Sequence, residues 1–489
     1  MPIRIVLAVA FVVLAASPAL SPDTGAQIRV DPGAAGSGAQ RAGSPPSPAD
    51  RPRMGPLRVH PTNPRYFADP EGRAVYLTGS HNWNSVQDRG GSDPPPAFDF
   101  DGFLDFLVDH GHNFIRLWAW EQAEGAPWTT DRVVFRPLAY ERTGPGTARD
   151  GGPRFDVTRF NEAYFERLRS RVVAARARGF YVSVMLFEGW SIDAKGKRGN
   201  PWPGHPFHRD NNVNGIDGDP SGNGQGEETH TLAVPQITEL QRAYVRKVVD
   251  TLNDLDNVLW EISNESHVRS TAWQYEMIRT LKAYEGSRPA QHPVGMTAQF
   301  PSGTNPPLFA SPADWISPVH DKAAPYQSDP PPATGEKVIL SDTDHLWGIG
   351  GDAAWVWKSF ARGLHPIYMD PLDNDGASGG KRQGSPAARR AMGQTRELAR
   401  RLDLAAMTPR PDLASSRFCL ASPGSEYVVY VPGSARVTVD LSAVDGAVAV
   451  EWRDTRTGKT VSGETVRGGA SRRFVAPFID DGVLYLKAL

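Results

Sequence analysis

The sequence predicts an α/β fold, a (β/α)8 TIM barrel, followed by a small all-β antiparallel sandwich. Three observations lead there. Eight short apolar runs lie over roughly 310 residues, and amphipathic helices or long loops separate them. Beyond about residue 402 this alternation gives way to short strands split by Gly, Pro, Asp and Ser turns. A doubly wound open sheet is the structural rival, weakened because no Gly-rich phosphate turn follows the first run.

In chain order, Arg4 precedes the apolar run Ile5–Ala16, which is too short to span a bilayer and is followed by small residues at Ser17, Ala19, Thr24 and Ala26. This pattern predicts a signal peptide over residues 1–26 and a secreted protein, periplasmic or extracellular, with no membrane association after cleavage. An uncleaved N-terminal anchor is the alternative. Residues 27–55 are rich in Gly, Ala, Ser, Pro and Arg and hold too little apolar surface to offset ordering, the signature of a disordered linker. The barrel is expected over 56–407 and the sandwich over 408–489.

Barrel strands are predicted at Val75–Gly79, Phe114–Trp120, Tyr181–Phe187, Val258–Ser263, Val294–Ala298, Trp315–Val319, Val338–Ser341 and Pro366–Met369. Helical spacing marks Phe100–His110, Ala163–Arg178 and Ile237–Leu255, with a further helix at Pro386–Leu402. Sandwich strands are expected at Arg417–Leu420, Glu426–Val431, Ala435–Leu441, Val448–Asp454, Lys459–Val466, Arg472–Pro477 and Val483–Leu486.

Composition narrows the function. Of 489 residues, 53 are Lys or Arg and 55 Asp or Glu, a net charge of −2 that argues against a nucleic-acid binder held by a basic face. The 48 Gly and 43 Pro point to long, shaped loops, and 13 Trp offer flat apolar surface of the kind sugar clefts use. Cys419, the single cysteine, excludes an intramolecular disulfide, a Cys-based zinc site and an iron–sulfur cluster, and is expected to pack as a small hydrophobe.

A barrel carries its chemistry where the strands end. The polar residues there are Ser80-His81-Asn82-Trp83, Arg116, Trp118, Trp120, Glu121, Glu188-Gly189-Trp190, Asn264-Glu265-Ser266-His267, His320-Asp321, Asp342-Thr343-Asp344-His345 and Asp370. Carboxylates, histidines and tryptophans of that density on one rim are costly in a merely structural role.

The run Val258-Leu-Trp-Glu-Ile-Ser-Asn264-Glu265 resembles the strand-four signature of the large clan of (β/α)8 glycoside hydrolases, and Tyr66 to Trp83 resembles the opening of apiosidase-like glycosidases of the DUF4038 type. The segment from Arg410 onward is similar to the collagen-binding-type module that often follows them, although nothing in it is specific to collagen. The resemblance covers residues 57–489. It implies a carbohydrate substrate, no cofactor, Glu265 as acid/base, and a nucleophilic carboxylate at the end of strand seven.

The chemistry agrees, because glycoside cleavage needs one carboxylic acid held protonated and one carboxylate held ionised across the sugar. Trp260 and Trp273 would supply apolar surroundings for Glu265, and Asn264 would bond a sugar hydroxyl. A purely structural Asn264-Glu265 cap on the following helix is the bland reading. Asp342 is the favoured nucleophile because it closes the run Val338–Leu340. Asp344, two residues on in the expected strand, faces the same side and is the alternative. The clan usually has Glu there, so the shorter Asp leaves open a retaining separation of ~5 Å or an inverting one of ~6.5–9.5 Å, with retention favoured. Arg116 is expected beside Asp342, as a structural partner, a tuning cation or both.

His81, Trp83, Trp120, Glu188, Trp190, His320 and His345 complete the predicted substrate-binding set. The stretch Asp210–Gly215 has the oxygen spacing of a calcium loop but has Ser221 where that motif places Glu, so no metal is assigned and a polar loop roofing the cleft is preferred. The expected function is a secreted glycoside hydrolase acting on polysaccharide or oligosaccharide side chains. A catalytically inactive carbohydrate- or matrix-binding protein is the alternative. A metal-dependent hydrolase built on Asp342, Asp344, His345 and His320 is a third.

Overall fold

A computed structural model describes residues 55–372, 384–433 and 436–489. The predicted leader and nearly all of the predicted linker lie outside them. Eight parallel strands form one sheet: β1 (Gly79–His81), β2 (Phe114–Leu117), β3 (Tyr181–Glu188), β4 (Val258–Asn264), β5 (Val294–Thr297), β6 (Trp315–Ser317), β7 (Val338–Asp342) and β8 (His365–Met369). Each strand from β2 to β8 pairs with the next in the chain, β8 pairs with β1, and a parallel bridge from Asn82 to Leu117 closes the ring. Such an order defines a TIM barrel. It excludes the doubly wound rival, in which the strand order reverses at a switch point.

The first strand is a correction. Instead of Val75–Gly79, the barrel strand is Gly79–His81, and Ala74–Val75 joins a three-stranded antiparallel sheet with Arg58–Val59 and Phe67–Ala68. The reason is burial: Leu57, Phe67 and Leu77 pack with Phe114, Leu259, Trp315, Val338, Leu340 and Ile367 as an apolar floor. The apolar residues before Gly79 therefore plug the barrel rather than line it.

Helices α1 (Phe100–Asp109), α2 (Glu162–Ala177), α3 (Pro235–Leu252), α4 (Thr271–Glu285), α5 (Ala353–Ala361) and α6 (Pro386–Ala399) pack around the sheet. Asp99, Asn161 and Ser385 cap α1, α2 and α6 by accepting from backbone N–H groups of the first turn. Helix α4 buries Trp273, Met277, Ile278 and Leu281 at helical spacing, a pattern the sequence reading did not use. Between β2 and α2, where no strand was expected, antiparallel strands run over Thr129–Arg136, Tyr140–Thr147 and Pro153–Phe160 and pack over the barrel mouth.

The C-terminal sheets confirm an all-β antiparallel region. Of strands β9 (Cys419–Ser422), β10 (Glu426–Val431), β11 (Arg436–Asp440), β12 (Ala447–Asp454), β13 (Ser471–Val475) and β14 (Gly482–Ala488), β9, β10, β12 and β14 belong to one large sheet, and β11 and β13 form a separate pair. The expected strand Lys459–Val466 divides into Thr460–Ser462 and Val466–Arg467, interrupted at Gly463, whose N–H bonds the Val450 carbonyl. Alternation decides the faces of β10: Tyr427, Val429 and Val431 join Cys419 in the sandwich core, while Val428 and Tyr430 share a core with the barrel helices. Burial pushes the Cys419 thiol up to about 12, so it packs as a neutral small hydrophobe.

Candidate active site

Above the apolar floor the barrel interior turns ionic. Arg116 on β2 is 2% exposed and donates to Glu261 (2.6 and 3.0 Å), Asn264 (2.8 Å), Asp342 (2.9 Å) and Asp344 (3.3 Å). A guanidinium this deep is tolerable only because acceptors surround it. Asp342 closes β7 and also bonds His81 Nε2 (3.0 Å) and the Asp344 N–H (3.0 Å), capping the helical turn Thr343–Leu346. Burial opposes ionisation of Asp342, but His81 and Arg116 outweigh it and hold the carboxyl well below the usual range. His81 in turn stacks on Trp118, with centroids 5.4 Å apart.

Asn264 ties this layer to the mouth. Arg116 can only donate, so the Asn264 atom facing it is the carbonyl oxygen, and the amide nitrogen points to Glu188 (3.2 Å). His345 Nε2 lies 2.9 Å from that same oxygen and therefore carries the proton, leaving Nδ1 to accept from the Ser317 hydroxyl at 2.6 Å. Burial and the Arg116 charge lower His345 to about 3, so it is neutral. Glu188 is wholly buried beneath the rim, and desolvation raises its carboxyl well above the usual range. Nearby Glu121, bonded to His230 and the Glu188 N–H, is lowered to about 2, the two histidines His230 and His205 overcoming burial.

Glu265 follows β4 in left-handed backbone, at φ 45°. For a residue other than glycine this costs ~1–3 kcal/mol and persists only where the surroundings enforce it. They do so here. Lys195 Nζ donates to the Glu265 and Phe300 carbonyls (3.1 Å each), and Gly189 lies so close that a Cβ there would come within 2.3 Å of the Glu265 carbonyl oxygen. The turn aims the carboxylate into a cavity of about 990 Å³ at the C-terminal mouth of the barrel. There the Trp190 indole N–H donates to Glu265 Oε2 at 2.5 Å. Burial raises the Glu265 carboxyl to about 7, against the opposing pull of Trp190, Lys195 and Arg116.

Asp344, in the helical turn after β7, lines the same cavity. Burial and the neighbouring Glu265 raise it, Arg116 opposing. Asp342 is 1% exposed and does not line the cavity. The two aspartates do not alternate along one strand as expected, because β7 ends at Asp342.

Trp83, Trp120, Trp190 and His345 line the cavity as predicted. Asn264, Arg116, His81 and Glu188 lie beneath it, holding the groups that do. His320 is exposed and outside the lining. Trp260 and Trp273 sit in the core between sheet and helices, so the indole against Glu265 is that of Trp190 instead. In the 210–219 loop, Asn211 and Asn212 turn their amide nitrogens onto main-chain carbonyls and tie the loop together. Arg89, Trp128, Lys197, Phe300 and Trp347 also line the cavity and were not singled out from sequence. Arg89 lies on the three-residue strand Asp88–Gly90, too short to show a period, and the others stand on irregular loops, where no periodicity marks a side chain's direction.

Comparison with known proteins places the architecture. A family model described as a domain of unknown function (DUF6298) matches residues 123–299, a segment that includes Glu265 and stops before Asp342 and Asp344. No curated protein matches the chain. Among solved structures, one described as a glycoside hydrolase is 13% identical, with a TM-score of 0.54, covering 89% of this chain and 97% of its own. A glycoside hydrolase family 5 structure from Bacteroides vulgatus is 13% identical with a TM-score of 0.57, covering 89% of this chain and 93% of its own. At this identity the likeness establishes the fold, a TIM barrel with appended β-sheets.

Proposed function

We propose that the protein is a secreted glycoside hydrolase cleaving O-glycosyl bonds in polysaccharide or oligosaccharide side chains, with Glu265 as proton donor and Asp344 as the ionised carboxylate. One observation carries this reading: both carboxyls line a single aromatic cavity at the C-terminal mouth of the barrel. Burial raises both carboxyls, and the neighbouring Glu265 raises Asp344 further. Arg116, 3.3 Å from Asp344, favours the charge there and leaves the proton on Glu265. This moves the nucleophile from Asp342, the residue favoured from sequence, to Asp344.

In the first step Asp344 forms a bond to the anomeric carbon while Glu265 gives its proton to the departing oxygen. In the second, Glu265 takes a proton from water, whose oxygen displaces the aspartate and restores both groups. This retaining course is supported by the resemblance of Val258–Glu265 to the retaining clan. The resemblance of Tyr66–Trp83 to apiosidase-like enzymes supports action on side-chain sugars, and the N-terminal leader pattern supports secretion.

Turnover of aryl glycosides and plant oligosaccharides, with the first-formed anomer read by NMR, tests the reading. Net retention is expected. Turnover that survives Glu265→Gln undiminished would overturn it. Binding without turnover would leave a carbohydrate-binding protein.

A further inference from the structure

We infer that the cavity takes an anionic carbohydrate, a sugar bearing a carboxylate or a sulfate, with cations flanking the cleavage point along one aromatic wall. The inference rests on the glycosidase reading of the same cavity and names its substrate class.

The wall is continuous. Trp190, which bonds Glu265, stacks on Phe300 at 5.6 Å and 13°, and on its other side meets Trp128 at 6.4 Å. Each end of this run carries a cation. The Arg89 guanidinium sits 5.6 Å from the Trp128 ring and 5.3 Å from Trp83, and Lys197 Nζ sits 6.0 Å from Phe300. Arg198 adds a third cation to the lining beside Lys197. A sugar face stacked against Trp190 at Glu265 would thus have positive charge one ring beyond it in either direction.

Among the described residues the only acids in the lining are Glu265 and Asp344, the proposed reacting pair. Among the described residues neither Lys197 nor Arg198 pairs with a carboxylate, in a chain whose net charge is −2. A neutral glycan needs only the aromatic faces and hydroxyl partners. Cations in a partly enclosed cavity with apolar walls concentrate and hold an anion far better than the same cations on an open surface.

The test uses the full chain carrying Glu265→Gln, so that ligand is not consumed. It is applied to an array of oligosaccharides in matched sets: neutral, uronate-bearing and sulfated forms of glucan, mannan and galactan. A carboxylate or sulfate ligand is expected to bind about tenfold more tightly than its neutral match, and the advantage to shrink as salt rises. The uronate and sulfate arms tell the two anions apart. Adding Lys197→Gln and Arg198→Gln, both exposed, should reduce the anionic-to-neutral ratio about tenfold at an unchanged melting temperature. Equal binding of neutral and anionic members, no binding to any member, or a ratio indifferent to the double substitution would each overturn the inference. Whether the unsubstituted protein then cleaves the ligand it selects is read separately, as released reducing sugar. Absence of cleavage there counts against the glycosidase reading and leaves the charge preference standing.

Discussion

The ionic layer around Arg116 and the cavity above it use the same chemistry to opposite ends. Asp342 and Asp344 are two residues apart and both touch Arg116. Asp342 has its oxygens taken by a guanidinium, an imidazole and a backbone N–H, and water does not reach it. Asp344 has long contacts to Arg116 (3.3 Å) and the His345 ring (3.6 Å) and otherwise faces the cavity and the charge of Glu265. Ionisation of the first is locked. The second borders the cavity and can respond to a ligand. The comparison teaches that a buried carboxylate becomes structural when both its oxygens are held by donors, and becomes available for chemistry when the donors run out at a cavity.

The largest effect that would sharpen this contrast is on rate. Glu265→Gln and Asp344→Asn are each expected to lower kcat by about 10³-fold or more while leaving the melting temperature within a few degrees. Azide should restore part of the Asp344→Asn rate through a glycosyl azide if the aspartate is the nucleophile. Restoration by azide in Asp342→Asn instead would return the role to Asp342.

Next in size is stability. Asp342→Asn leaves Arg116 buried beside a neutral amide and turns an NH2 towards one of the donors that Asp342 now accepts from, so chemical denaturation should show a loss of about 3–5 kcal/mol. A normal denaturation midpoint would break the distinction between the two regions.

Lys195 tests the turn that connects them. Lys195→Met removes the ammonium holding the Glu265 and Phe300 carbonyls, and kcat should fall roughly 10–100-fold through misplacement of the carboxyl, with KM changed less.

The smallest expected effect is of pH. Glu265 is raised to about 7, so the acid form is lost as pH rises and kcat/KM should decline through that range. The sign for stability is the same. A carboxyl raised on folding favours the folded state at low pH and loses that contribution as pH climbs through its folded value. Melting temperature should therefore fall between about pH 4.5 and 7 in the unsubstituted protein and less in Glu265→Gln. Asp342, depressed on folding, acts oppositely and weakens the fold only as acid is added.

Much of the barrel was legible because its strands are short apolar runs and its helices carry one-sided stripes. Seven of the eight strands overlap the expected runs by three residues or more and the first by Gly79 alone, and α1, α2, α3 and α6 fall within a few residues. Gly79–His81 was misplaced because burial in a barrel floor and burial in a barrel strand leave the same apolar signature. The strands over the mouth were missed because Tyr140–Thr147 is mostly half-buried or exposed and has no alternating pattern to read. In the site, Glu265 and Asp344 were visible from type and position after a strand. Arg89, Trp128 and Phe300 were not, since Trp128 and Phe300 stand in turns and Arg89 on a three-residue strand too short to show which way its side chain points.

The sequence by itself determined the barrel and its trailing β-sandwich, the set of polar residues at the strand ends, and Glu265 among them. Those properties follow from local periodicity and from the rule that strand ends converge. Tertiary structure alone decided which aspartate is sealed and which is open. That choice depends on a single arginine from a distant strand, on β7 ending at Asp342, and on a backbone turn at Glu265 fixed by Lys195 and Gly189. Donors that satisfy a buried carboxylate come from across the fold, and only their three-dimensional arrangement shows where they are exhausted.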